Sequence, residues 1–268
     1  MKISKRVLLA TSAAPSQSPF TIWEKRPPHG VGFLISMLRN AGHEVFFIDN
    51  YLEPTNFLET GYLQSKQIDY IGLSVNTICF RDTLRMLHKV EYLRRSGQWQ
   101  GKIILGGPHT SVSIETIPMF VDHIVQGEGE QAIVDIVEGN VRDRVVRYPR
   151  IRDLDALPEP AWDLFAKLPY NWEVPWFPEN PVFNLTTSRG CPFNCAFCSN
   201  ESVWGKKYTA FSAGRVVAEI EHLIANYGAK GIYFRENNFT ANRKRVLEFC
   251  NLLLEKDIKI HWACESRV

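Results

Sequence analysis

The chain has 268 residues, 45% of them hydrophobic, with 31 basic side chains against 29 acidic ones and a formal net charge of +2. That length and apolar content predict two globular domains, and the near-neutral balance argues against nucleic acid or an anionic membrane surface as a partner. No apolar run approaches the roughly 20 residues that span a bilayer, and the short run Val7-Leu8-Leu9-Ala10 lacks a cleavage site, so a cytoplasmic protein is expected.

Over residues 1–140, short β-branched runs alternate with helical patterns, the signature of an α/β, doubly wound parallel sheet covered on both faces. Strands are predicted at 6–11, 44–49, 70–75, 102–105 and 123–125. Helices are predicted at 32–40, 80–95 and 130–137, with a shorter helical turn within 114–121. Ligands of such sheets collect beyond the carboxyl ends of the strands. There the chain turns small and polar: Ser74-Val75-Asn76-Thr77 after the third strand, Gly106-Gly107-Pro108-His109-Thr110 after the fourth, and Gly127-Glu128-Gly129-Glu130 after the fifth. Paired glycines admit a bulky ligand and equally serve a tight turn; three such segments at one edge favour the ligand. His29 and His109 fall in loops at this edge and read as turn or surface histidines. The basic runs Arg94-Arg95 and Arg243-Lys244-Arg245 read as solvated helix faces.

From 141 to 180 the pattern dissolves into Leu157-Pro158-Glu159-Pro160 and Trp176-Phe177-Pro178-Glu179-Asn180-Pro181, whose prolines block regular helix or central strand. Trp162, Phe165, Trp172 and Trp176 are too apolar for a free tether, so a linker packed across the domain junction is expected. A second α/β series follows: a strand at 182–186, a helix at 212–227 ended by Gly228, a strand at 231–234, a helix at 242–256 and a strand at 258–263. Three β/α units cannot close a barrel. A fragment, or a partial sheet that needs another covering element, is therefore expected.

Between the first two strands of that series lies Ser188-Arg189-Gly190-Cys191-Pro192-Phe193-Asn194-Cys195-Ala196-Phe197-Cys198. Three clustered thiols in a reducing compartment suggest a soft metal rather than disulfides. Spacing of three residues and then two lets one loop wrap three corners of a cubane, with Gly190 supplying the turn and Phe193 and Phe197 shielding the sulfurs. Structural zinc favours two cysteine pairs and ferredoxins add a fourth cysteine, and neither pattern is present. The spacing points to an iron–sulfur cluster with one iron left open. Cys79, Cys250 and Cys264 are scattered singly and read as small buried hydrophobes.

The cysteine loop, at the end of a strand, resembles the signature of the radical S-adenosylmethionine superfamily. The resemblance implies that Cys191, Cys195 and Cys198 ligate a catalytic [4Fe–4S] cluster. Its open iron would chelate S-adenosylmethionine, which one electron cleaves to methionine and a 5′-deoxyadenosyl radical. The runs 199–208 and 234–240, with Pro28-His29-Gly30, Gly106-Gly107-Pro108-His109 and Gly127-Glu128-Gly129-Glu130, are similar to the cobalamin-binding branch. That branch implies a Rossmann-like B12-binding domain at 1–140, a packed linker at 141–180 and the first half of a radical SAM (β/α) barrel at 181–268. Cobalamin would meet Ser74, Asn76, Thr77, Gly106, Gly107, Pro108, His109, Gly127 and Glu128. Members include methyltransferases and oxidative cyclases; a small-molecule substrate and an electron donor such as flavodoxin or ferredoxin are implied as partners, with no nucleic acid and no membrane span. Residues 1–268 alone are expected to be inactive, because a half barrel exposes a radical to solvent.

Two departures from the branch are visible. The Asp-x-His-x-x-Gly element that ligates cobalt in some B12 proteins has no match, since the second strand ends Ile48-Asp49-Asn50-Tyr51; cobalt is expected to lack a protein histidine. Where many relatives carry two aspartates this chain has Glu236-Asn237. Glu236 can still accept a charge-assisted hydrogen bond from the cosubstrate amino group. Arg267 could pair with a carboxylate or stand solvated. Two other readings stay open: cluster and cobalamin binding, or electron transfer, without radical chemistry; and a radical enzyme whose first domain is an oligomerisation or substrate module.

Overall fold

A computed structural model describes residues 3–12, 25–52, 58 and 61–267. Contacts divide the chain into two compact units, residues 1–150 and 151–268.

In the first unit the apolar runs become β1 (Arg6–Thr11), β2 (Glu44–Ile48), β3 (Tyr70–Ser74), β4 (Lys102–Gly106), β5 (His123–Gln126) and β6 (Val145–Arg147). They pair in the order β2-β1-β3-β4-β5-β6, every neighbour parallel. Val7 to Ala10 and Ile103 to Leu105 are at most 2% exposed, as strands covered on both faces require. The covers are α1 (His29–Asn40), α2 (Tyr62–Ser65), α3 (Phe80–Arg95), α4 (Pro108–Val112) and α5 (Glu130–Val137). Leu8, Ile71 and Leu105 pack with Met86, Leu87 and Val90 of α3. On the face toward α5, a Cβ on Gly72 would lie 2.6 Å from Leu9 Cδ2 and 3.7 Å from Ile133 Cδ1, so bulkier neighbours fill that space.

One expectation for this unit is corrected and another narrowed. The sheet has six strands rather than five: only Val146 of β6 is buried, so one apolar residue carries the whole strand and no periodicity marks it. The helical turn sought within 114–121 shrinks to a single 3-10 turn at Ile114–Thr116, and the α-helix forms earlier, where Pro108 opens α4 with its preset φ.

The second unit contains α6 (Trp162–Phe165), β7 (Val182–Leu185), β8 (Ser188–Arg189), α7 (Asn200–Trp204), β9 (Thr209–Ala210), α8 (Ala213–Tyr227), β10 (Gly231–Phe234), α9 (Arg243–Glu255) and β11 (His261–Cys264). Strands β11, β10 and β7 form a parallel sheet in that order, and β8 pairs with β9 antiparallel. Helix α8 starts where Ser212 Oγ accepts from Arg215 N at 3.1 Å and ends at Gly228, whose φ of +64° is left-handed. Asn242 Oδ1 caps α9 in the same way, accepting from Arg245 N at 3.1 Å. The proline-rich segment supplies core: Trp162 stands 5.6 Å from the Phe183 ring of β7 and donates from Nε1 to Glu219 Oε1 of α8 at 3.0 Å. Full burial of Trp162 and Phe165 stabilises this unit by about 1.5–3 kcal/mol each. Among the described residues no helix is long and apolar enough to cross a membrane.

Candidate functional site

Two groups of residues singled out in the sequence lie at strand ends, one in each unit. In the first sheet chain order reverses between β1 and β3, the position where such folds open a crevice beyond the carboxyl ends. The described residues there are bonded to one another. Thr11 Oγ1 donates to Asp49 Oδ1 at 2.8 Å, and Asn50 Nδ2 donates to Thr11 O at 2.6 Å. Asn76 Oδ1 accepts from Cys79 N at 2.9 Å, steadying the turn into α3, while its Nδ2 donates to Tyr51 Oη at 2.8 Å. The same Tyr51 oxygen meets Cys79 Sγ at 2.8 Å. Burial and then that thiol raise the Tyr51 phenol above its ordinary pKa.

Gly107 has φ +99° and ψ −177°, and a Cβ there would stand 2.7 Å from both Val75 N and Val75 O. Its missing side chain is therefore explained by the close approach of two loops. Gly127, with φ +82°, is exposed and has no atom within 4 Å of a would-be Cβ, so its conformation alone requires glycine. Glu128 is buried, with Arg150 Nε 3.8 Å from its Oε1. Ser74 is half-buried, paired in register with Gly106, whereas Thr77 and Pro108 are exposed.

His109 is 3% exposed, not a surface histidine, and both ring nitrogens are engaged: Nδ1 with Thr77 Oγ1 at 3.2 Å and Nε2 with Thr116 Oγ1 at 3.0 Å. Thr116 gives its hydroxyl proton to Ser113 O at 2.7 Å, which assigns the imidazole proton to Nε2 and makes Nδ1 the acceptor from Thr77. Phe80 stacks on the ring at 3.9 Å. Desolvation outweighs the nearby Glu115 charge and lowers the His109 pKa. This imidazole has no ring nitrogen left for cobalt. His29, also expected at the surface, opens α1 and is buried with its ring 4.9 Å from that of Phe33.

In the second unit, β8 and β9 form a two-pair ladder, Ser188↔Ala210 and Arg189↔Thr209, from which the cysteine loop projects. Cys191 is buried at its base, Cys195 half-buried and Cys198 exposed; all six cysteines of the chain are free thiols. Cys198 N donates to Cys195 O at 3.0 Å, a tight turn that sets the last two thiols on one bend. The loop carries all three thiols without drawing them together: among the described residues no three His, Cys, Asp or Glu side chains are grouped to hold a metal. Phe193 and Phe197 are 45% and 92% exposed rather than shielding the sulfurs. Arg267 places its guanidinium 4.2 Å over the Phe193 ring. Cys250 and Cys264 are half-buried rather than fully internal, and burial raises the Cys264 pKa.

Glu236, just past β10, is 4% exposed. Its Oε1 accepts from Thr187 N at 2.8 Å and from the Thr187 hydroxyl, and its Oε2 accepts from the Ser188 hydroxyl. Arg245 donates from Nε to Phe211 O at 2.8 Å and from Nη2 to Thr187 O at 3.2 Å and to the Thr187 hydroxyl. Arg245 is thus buried rather than part of a solvated face. Arg243, Lys244 and Arg245 all fall in the first turn of α9, where a cation opposes the helix dipole, and of the three the fold buries Arg245. Arg94 is likewise not simply solvated, since its guanidinium donates to Asp122 Oδ2 at 2.7 Å and to Phe120 O at 2.6 Å.

Residues 24–137 match the B12 binding domain and residues 185–267 the radical SAM superfamily. An uncharacterized methyltransferase of Pyrococcus horikoshii is 29% identical over 100% of this chain and 61% of its own length. The anaerobic magnesium-protoporphyrin IX monomethyl ester cyclase of Cereibacter sphaeroides is 28% identical over 90% of this chain and 43% of its own. The chain thus spans about half the length of the curated relatives it matches. The cobalamin-dependent S-adenosylmethionine radical enzyme OxsB with aqua-cobalamin bound shares the fold with a TM-score of 0.77 at 19% identity, over 97% of this chain and 38% of that one. With a B12-binding domain followed by a radical SAM domain in one polypeptide, the chain belongs to the cobalamin-binding branch of the radical S-adenosylmethionine superfamily.

Proposed function

We propose that the chain forms the cofactor-binding part of an enzyme that cleaves S-adenosylmethionine reductively and uses cobalamin to methylate or cyclise a small molecule at an unactivated carbon. The observation that carries this reading is one loop with three free thiols at spacings of three and two, in a chain that also bears a B12-binding sheet. The donor set fits an iron–sulfur cluster: three thiols and no further cysteine or histidine in the loop. The first sheet fits a broad, flat ligand, since the described residues beyond its strands are bonded to one another and present the exposed Thr77, Pro108 and Gly127 at the carboxyl edge. When bound, a reduced [4Fe–4S] cluster supplies the electron that breaks the sulfonium bond, and cobalamin supplies a methyl carrier.

In this reading Cys191, Cys195 and Cys198 are the ligands. Asn76, Gly107 and His109 hold the loop shapes, with His109 tied to two hydroxyls and leaving cobalt without a protein nitrogen. Ser74, Gly106 and Glu128 lie at the same edge. The cobalamin role falls to residues 1–140 and the cluster role to 181–268. Between them β6 completes the first sheet and the aromatic segment packs on the second. An acidic one-electron carrier of the flavodoxin or ferredoxin class suits the exposed Cys198 with the exposed Lys206 and Lys207 nearby in sequence. Six unpaired cysteines accord with a cytoplasmic setting.

The test is anaerobic reconstitution of the full-length protein. Retention of corrin through gel filtration, a cluster resonance that changes on adding S-adenosylmethionine, and reductant-dependent 5′-deoxyadenosine are expected. Zinc in place of iron, or a resonance indifferent to the cosubstrate, overturns the radical assignment; loss of corrin on the column overturns the cobalamin assignment.

A further inference from the structure

We infer that Glu236 is a positioning residue for the cysteine loop: through Thr187 and Ser188 it ties the tip of β10 to the ladder that closes the loop, and Arg245 neutralises it through the Thr187 hydroxyl. This deepens the proposed function and rests on it only for the cluster. The arrangement is a relay. The Thr187 hydroxyl has one proton, given to the Glu236 carboxylate, and its lone pair takes a hydrogen from Arg245. Oppositely charged groups from β10 and α9 therefore meet through one side chain at the end of β7.

All four residues are at most 7% exposed. In such surroundings a carboxylate needs several donors, and Glu236 has three, every one from Thr187 or Ser188. Ser188 is the first residue of the ladder, and Cys191 lies three positions on. Tyr208, at the other end of the loop, sits against Ser188 and Arg245, and burial raises its phenol pKa. The neck of the loop is thus gripped from both sides by one buried network. A carboxylate committed to that neck acts on the thiols through the backbone, a different role from receiving the amino group of a cosubstrate.

The experiment compares Glu236→Gln, Thr187→Val and the double variant of the full chain, with Leu223→Ala as a control that opens a cavity in α8 away from the neck. Two readouts are taken: the thermal midpoint before any metal is added, and iron per chain with the resonance of the reduced cluster after anaerobic loading at a temperature where every variant is folded. Each neck variant is expected to lower the midpoint by about 5–10 °C. Each should also lower bound iron severalfold and broaden the resonance, with the double variant no worse than the poorer single one. The control should lower the midpoint comparably and leave iron and line shape unchanged. Full iron and an unchanged midpoint in Glu236→Gln, with weakened cosubstrate binding alone, overturns the inference in favour of direct contact. Iron loss in the control equal to that in the neck variants overturns it in favour of general destabilisation. Should the parent protein load no cluster, the proposed function fails by itself, and additive midpoint losses in the metal-free variants would then overturn the coupling on their own.

Discussion

The two strand-end regions are built on opposite plans. Beyond the first sheet, the end of β1 and the described residues that follow β2, β3 and β4 are bonded to one another through Thr11, Tyr51, Asn76 and His109, so the shape of this described edge is set by the protein itself. Beyond β8 the cysteine loop has a rigid neck and a solvent-facing body, with Pro192 to Asn194 and Ala196 to Ser199 all exposed. A large, preformed organic cofactor suits the first plan, because a surface ordered in advance costs little to bind. A metal suits the second, since soft thiolate bonds can themselves order the loop.

The strongest way to break this contrast is on the thiol side. Cys195→Ser is expected to reduce bound iron by about tenfold or more while leaving corrin retention and the thermal midpoint unchanged; iron assay with gel filtration checks both. On the other side, Gly107→Ala must force a Cβ against Val75 in a backbone region essentially reserved for glycine, and should cost the first unit about 2–4 kcal/mol in urea unfolding with iron loading intact. Arg94→Ala removes bonds to Asp122 and Phe120 at the amino end of β5, the opposite end of that strand from Gly127, and about 1–2 kcal/mol is expected with no loss of either cofactor.

The smallest effect sharpens the contrast by pH. Because burial depresses the His109 pKa in the folded state, the unfolded chain binds more protons between that lowered value and the ordinary 6.5. Stability should be complete above pH 6.5 and decline as pH falls through the folded-state pKa. His109→Gln should flatten that decline in denaturant titrations at pH 5.5 and 7.5, and an unchanged slope would remove His109 from the account.

Most of the parallel architecture was legible because its strands are near-continuous apolar runs, its longer helices carry apolar residues at helical spacing, and α8 and α9 are capped by Ser212 and Asn242. Helix α3 and strand β10 fall at the predicted bounds, and the Ser212 cap and Gly228 stop delimit α8. Strand β6 escaped because its order comes from pairing with β5, and a three-residue edge strand needs no periodicity. The cysteine spacing was readable because its residues are local in sequence. The Glu236 network was not: Thr187, Glu236 and Arg245 are brought together only by folding, and nothing in a basic triplet tells which of its members turns inward. The pair Gly106-Gly107 stands out in the sequence, yet the reason that Gly107 is a glycine lies in Val75, 32 residues earlier, a distance that no motif encodes.

The ladder of β8 and β9 has a further meaning for how such proteins diversify. Since the loop leaves and returns through adjacent residue pairs, its interior can lengthen, shorten or be exchanged for a relative's without shifting the strands that flank it, at an entropic cost that grows only with the logarithm of its length. Ser188 to Ala210 is thereby a transplantable cassette, and chimeras joined at those two pairs are the natural route to swapping one cluster environment for another on an unaltered scaffold.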